Sequence, residues 1–67
     1  MQDAYTLTRT LAGHDFEVRA ERMSWEESLI VTARIDGELA YLRKEEGNAD
    51  PFKAMKAALK QAIAEAA

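Results

Sequence analysis

Lys53, Lys56 and Lys60 stand three and four residues apart, so on a helix their ammonium groups line one flank. Such a stripe can hold phosphate or carboxylate groups. Lysines snorkelling at the rim of a core make the same pattern. Two of the three fall in the first half of that helix, where the macrodipole favours acids, and Glu65 falls near its end, where it favours bases. Local helix stability therefore does not explain these charges. A second group, Arg19, Arg34, Tyr41 and Arg43, alternates along strand-like runs and joins Ile30, Thr32 and Leu39 on one expected sheet face. Arginine and tyrosine among aliphatics is a composition enriched at protein interfaces. It also suits stacking of single-stranded nucleic acid, and it occurs on plainly solvated sheet faces. Trp25, the one tryptophan, lies between polar residues in a connection. It reads as a hot-spot anchor or as a cap on the edge of a small core.

Groups suited to catalysis are scarce. The chain has one histidine, His14, in an expected turn, and no cysteine. Glu26–Glu27 and Glu45–Glu46 are sequence neighbours in expected connections, not carboxylates converging on a cleft. With Asp50, they lack the alternating oxygen ligands of a calcium loop. They read as solvated charges, or as an imitation of a nucleic-acid backbone offered to a basic partner. No Gly-rich phosphate loop is present. The expectation is a non-enzymatic chain that uses no metal or cofactor.

The 67 residues make one domain, 1–67. A domain this small buries only about 60% of the surface its unfolded chain exposes. Its core supplies ~3–5 kcal/mol of net stability, which leaves little to offset strained or buried polar groups. A secreted chain this short usually carries disulfides, so the absence of cysteine points to a reducing cytoplasm. No apolar run approaches the roughly 20 residues that span a membrane. The first residues, Met-Gln-Asp-Ala-Tyr, lack the basic-then-apolar order of a signal peptide. Twelve acidic and nine basic residues give a net charge of −3, which disfavours loose binding to nucleic acid or anionic membranes.

The elements that position these groups follow from hydrophobic period. Ala4 to Leu11 alternates, with Tyr5, Leu7 and Leu11 on one side, interrupted by Arg9, and threonines on the other. Gly13–His14 is expected as a two-residue hairpin turn, setting Leu11 opposite Phe16 and Leu7 opposite Ala20. Phe16 to Met23 alternates again. Ser24 with Glu27 has the form of a capping box in the next connection. Leu29 to Ile35 and Glu38 to Lys44 flank Asp36–Gly37, a strong type I′ hairpin signal. That register pairs Ala33 with Ala40, Val31 with Leu42, and, on the opposite face, Thr32 with Tyr41. Asp50 as N-cap and Pro51 at the first helical position then start a helix. Its stripe is Phe52, Met55, Leu59, Ile63 and Ala66. Strands of seven residues are about 23 Å long. A helix from Pro51 to Ala66 is about 24 Å long. The expected fold is α+β: a four-stranded antiparallel meander with one C-terminal helix on one face. The expected core is Leu7, Leu11, Phe16, Val18, Ala20, Val31, Ala33, Ile35, Leu42, Phe52, Met55, Leu59 and Ile63.

Two resemblances bear on function. The strand-rich body followed by a Lys/Ala-rich helix resembles the second half of a double-stranded RNA-binding domain. Lys53, Lys56 and Lys60 stand where that family's final helix is basic. The chain departs from it in lacking a helix before the strands and in its acidic net charge. The stretch Arg34-Ile-Asp-Gly, then Asn48-Ala-Asp-Pro and an alanine-rich helix, is similar in layout to some anti-CRISPR proteins, small acidic accessory proteins of phages and mobile elements. That resemblance implies an inhibitor that docks on a nucleic-acid-handling complex. The expectation is therefore a protein-binding module, its partner held by Arg19, Trp25, Arg34, Tyr41 and Arg43. The alternative is a nucleic-acid binder using Lys53, Lys56 and Lys60 or the open face. A homodimer through that face is a third reading.

Overall fold

The structure, a computed structural model, describes residues 3–22 and 28–67. Four strands, β1 (Asp3–Leu11), β2 (His14–Arg22), β3 (Ser28–Ile35) and β4 (Glu38–Glu46), precede one helix, α1 (Pro51–Ala66). The strands pair antiparallel in chain order as one open sheet. This is the ββββα architecture that the alternation predicts. Trp25 and the Ser24–Glu27 capping signature lie outside the described residues.

Both described hairpins turn on two residues with positive φ. Asp36 and Gly37 sit at φ 52° and 85°, the left-handed pair that a type I′ turn requires. In the first hairpin the pair is Ala12–Gly13, at φ 52° and 81°, in place of the expected Gly13–His14. A type I′ turn takes glycine in its second central position, and Gly13 fills that slot. The register therefore moves by two residues: Leu11 faces His14, Arg9 faces Phe16 and Leu7 faces Val18. A shift of two preserves every side chain's face. Its cost falls on Leu11, which ends beside the turn and is exposed. A left-handed alanine is strained by roughly 1–2 kcal/mol. Ala12→Asn is therefore expected to stabilise by about 0.5–1 kcal/mol, and a thermal melt should rise by about 4–8 °C for each kcal/mol. An unchanged or lower midpoint contradicts the turn geometry.

The second correction is in β4. Arg34 faces Leu39, but Ala33 faces Tyr41, so Ala40 is an extra residue and the register steps by one. A bulge of this kind turns every later side chain of its strand to the other face. Tyr41 and Arg43 thus lie on the helix side, opposite Ala33 and Val31, and Leu42 and Lys44 lie on the open side. The step gains Tyr41, whose ring packs against the core edge where the helix only partly covers β4. It leaves Leu42 62% exposed.

Asp50 caps α1, its carboxylate accepting the Phe52 N–H at 2.9 Å. The helix lies over β2 and β3 and reaches β4 less. The buried core is Phe16, Val18 and Ala20 of β2, Leu29, Val31 and Ala33 of β3, and Met55, Ala58, Leu59 and Ala62 of α1. Leu7, Ile35 and Ile63 are half-buried around it. Phe52 is 58% exposed, because the helix axis runs between β2 and β3 and its first turn overhangs β1. Among the described residues no helix is long and apolar enough to cross a membrane.

Candidate functional site

The open face is built in cross-strand rows. One row runs Thr6, Arg19, Thr32, Leu42; the next runs Thr8, Glu17, Arg34, Leu39. A third places Ile30 between Glu21 and Lys44. The β3–β4 half therefore carries Ile30, Leu39 and Leu42 beside Arg19 and Arg34. Leu39 and Leu42 are two of the four large hydrophobic side chains exposed among the described residues. Arg19 is held by Glu21 at 3.1 Å. Arg34 donates to the Gly37 carbonyl at 3.3 Å. At the turn end, Thr8, Thr10, Asp15, Glu17 and Arg34 line a shallow hollow of about 370 Å³. A leucine patch with a guanidinium in an adjoining hollow is the arrangement of an anchor site for a partner's side chain.

Of the residues expected to bind a partner, Arg19 and Arg34 share this face. Tyr41 and Arg43 do not: both lie across the sheet, on the helix side. There Arg43 is paired to Glu45 at 2.6 Å. The Tyr41 hydroxyl, and then the Glu45 carboxylate, push the Arg43 pKa further up. These two residues form a local chain along an edge strand. Leu42 takes the place on the open face that Tyr41 was expected to hold. Trp25 lies outside the described residues.

His14 belongs to a tie between the two hairpin turns. Its Nδ1 donates to Asp36 Oδ2 at 2.7 Å, and the Asp15 backbone N–H donates to Asp36 Oδ1 at 2.9 Å. The Asp36 N–H returns a bond to the Asp15 carbonyl at 2.8 Å. Histidine oriented by a carboxylate is part of a hydrolytic triad. The hydroxyl of this network, Thr10 Oγ1, however donates to Asp15 at 2.9 Å. The group therefore fastens the turns. The Asp15 amide first, then the His14 ring, hold the Asp36 carboxyl below its ordinary value of 3.8. A depressed carboxyl stabilises above the unfolded value and loses that contribution as pH falls through the folded one. Asp36→Asn keeps a residue that tolerates positive φ but removes the titration. The melting-temperature gap between wild type and this variant is therefore expected to narrow between about pH 5 and pH 2. Parallel curves across that range would refute the tie.

One further placement was not visible in the sequence. Arg22, at the end of β2, donates from Nε to the Gly47 carbonyl at 2.6 Å and from Nη2 to the Ala49 carbonyl at 2.8 Å. It thereby fixes the chain that leads into α1. Lys53, Lys56 and Lys60 are all exposed; Lys56 lines the hollow beside β1, and Lys60 and Lys53 lie further round the helix toward solvent. A scan against protein-family models and searches of curated proteins and of solved structures return no match to this chain.

Proposed function

We propose that the chain is a non-catalytic protein-binding module that docks through the β3–β4 half of its open sheet face. The observation that carries this is the bulge at Ala40, which turns Leu42 outward beside Leu39 and Ile30, between Arg19 and Arg34. An apolar patch with arginines at its margin fits a partner surface that offers an aliphatic or aromatic knob and a carboxylate. In the role that the layout of the chain implies, the module is an inhibitor that occludes a nucleic-acid-handling complex. Stacking of single-stranded nucleic acid on this face loses its support, because no aromatic side chain lies there among the described residues.

The test is a pull-down from a bacterial lysate, with and without nuclease, using wild type and the variant Arg34→Glu/Leu42→Glu. A partner retained after nuclease and lost with the variant supports the proposal. A partner released by nuclease points to nucleic acid instead. Sedimentation of the purified chain covers self-association: a dimer broken by the same variant means that the face is closed by a second copy.

A further inference from the structure

The two edges of the sheet are built differently. β4 carries a bulge, and five of its nine residues are charged: Glu38, Arg43, Lys44, Glu45 and Glu46. Those are devices that stop an edge from pairing with another chain. β1 has neither. Its register with β2 is unbroken, and of its nine residues two are charged, Asp3 at its start and Arg9. Leu11 and His14 flank a two-residue turn, so they form a hydrogen-bonded pair, and pairs alternate from there. Arg9, Leu7 and Tyr5 therefore point their backbone groups at β2. Ala4, Thr6, Thr8 and Thr10 point theirs outward, and among the described residues no strand lies beyond them.

Beside this edge runs an apolar trough. Because α1 lies over β2 and β3, the inner side of β1 forms a floor next to the helix. Tyr5, Leu7, Phe52 and Met55 line a section of about 420 Å³ with Lys56 at its rim. Leu11, Phe16, Ile63 and Ala66 line a smaller one of about 100 Å³ at the turn end. The Tyr5 and Phe52 rings, with centroids 5.0 Å apart, bridge strand and helix. The rim is basic. Lys56 follows Phe52 by one turn and Lys60 follows Lys56, with Lys53 beside them, while Arg9 shares the inner side of β1 with Leu7. Glu65, the one acid of α1, is nine residues from Lys56 and so half-way around the helix.

We propose that this edge and trough bind an extended segment of another protein, apolar and acidic in composition, added as a fifth strand antiparallel or parallel to β1. The outward N–H and C=O groups of Ala4, Thr6, Thr8 and Thr10 supply the ladder. The trough takes apolar side chains, and the lysine flank with Arg9 takes carboxylates. Charge selects this occupant over a second copy: pairing β1 antiparallel with its own symmetry mate puts both helices on one side of the joined sheet and sets Lys56 of each copy at the same apolar seam. It also selects it over phosphate backbone, which would use the cations but neither the apolar floor nor the strand edge. This surface is separate from the open-face patch, so either can fail alone.

The probe is a fluorescein-labelled ten-residue peptide of alternating valine and glutamate, followed by anisotropy, with a valine–lysine peptide as its counterpart. The acidic peptide is expected to bind at least about tenfold tighter than the basic one, a difference of about 1.4 kcal/mol. Lys53→Gln/Lys56→Gln/Lys60→Gln should weaken it by about tenfold and flatten its salt dependence, since exposed charges are screened. Thr6→Pro removes one outward donor at an edge position that tolerates proline. It should weaken binding by a similar factor, with its melt recorded to show that it folds. Bound peptide should slow amide exchange at Thr8 and Thr10, a readout that needs no variant. Arg34→Glu/Leu42→Glu should leave this binding unchanged. No binding, equal binding of the valine–lysine peptide, or unchanged exchange at Thr8 and Thr10 would each overturn the proposal. So would equal displacement by an oligonucleotide, which assigns the flank to nucleic acid, or a dimer that Thr6→Pro dissociates, which assigns the edge to a second copy.

Discussion

Leu29→Ala is expected to leave the chain largely unfolded at 25 °C. Leu29 is 0% exposed and heads the largest fully buried side chains. It stands in β3 opposite Arg22 of β2 and Glu45 of β4, and it belongs to the cluster that β2, β3 and α1 close together. Truncating such a residue costs about 2–5 kcal/mol, from lost transfer and the cavity left behind. The whole domain has ~3–5 kcal/mol to lose. Neither flanking strand can collapse into the gap without breaking the ladder it shares with β3. The measurement is a urea titration followed by circular dichroism, with Ile30→Ala as control. Ile30 is the next residue, half-buried on the open side, and its loss should cost far less. A Leu29→Ala midpoint near that of wild type would mean that the inner side of β3 is not the core.

The fold was legible because its signals are periodic. Alternation marked the strands, Asp36–Gly37 fixed the second hairpin, and Asp50–Pro51 started the helix where the structure starts it. Leu29 escaped the expected core because it adjoins a polar connection, although it continues the inner series of Val31, Ala33 and Ile35. Ala58 and Ala62 escaped because a stripe is read from large residues. They are the small side chains that let the helix approach β2 and β3 closely. Phe52 and Leu42 were expected inside because they are large and apolar, yet position decided against them: one overhangs the edge and one follows a bulge. The bulge was hidden for a definite reason. Leu39, Ala40, Tyr41 and Leu42 are four apolar residues in a row, which carry no period of two, and no glycine marks the extra residue. Half of the candidate site was lost with it, since Tyr41 and Arg43 changed faces together. Arg19 and Arg34 lie before the break in pairing and kept theirs.

Arg34→Glu with Leu42→Glu is expected to abolish partner binding and leave the fold intact. Both residues are exposed, and neither belongs to the buried cluster. Their rows are adjacent, Arg34 beside Leu39 and Leu42 beside Thr32, so one partner side chain can meet both. Replacing an arginine at an anchor with a carboxylate does more than delete a contact, because it sets like charge against the carboxylate that the site is built to receive. Losses at such positions reach about 30-fold in affinity or more. The matched control is Tyr41→Phe/Arg43→Gln. It alters the same strand by as many residues but on the helix side, and it breaks the Arg43–Glu45 pair, which is exposed and contributes little to the fold. Binding should follow the open-face variant and ignore the control, with both proteins melting close to wild type. If the control loses the partner and the open-face variant keeps it, the functional surface lies on the helix side of β4. The outward turn of Leu42 would then be only the by-product of placing Tyr41 against the core.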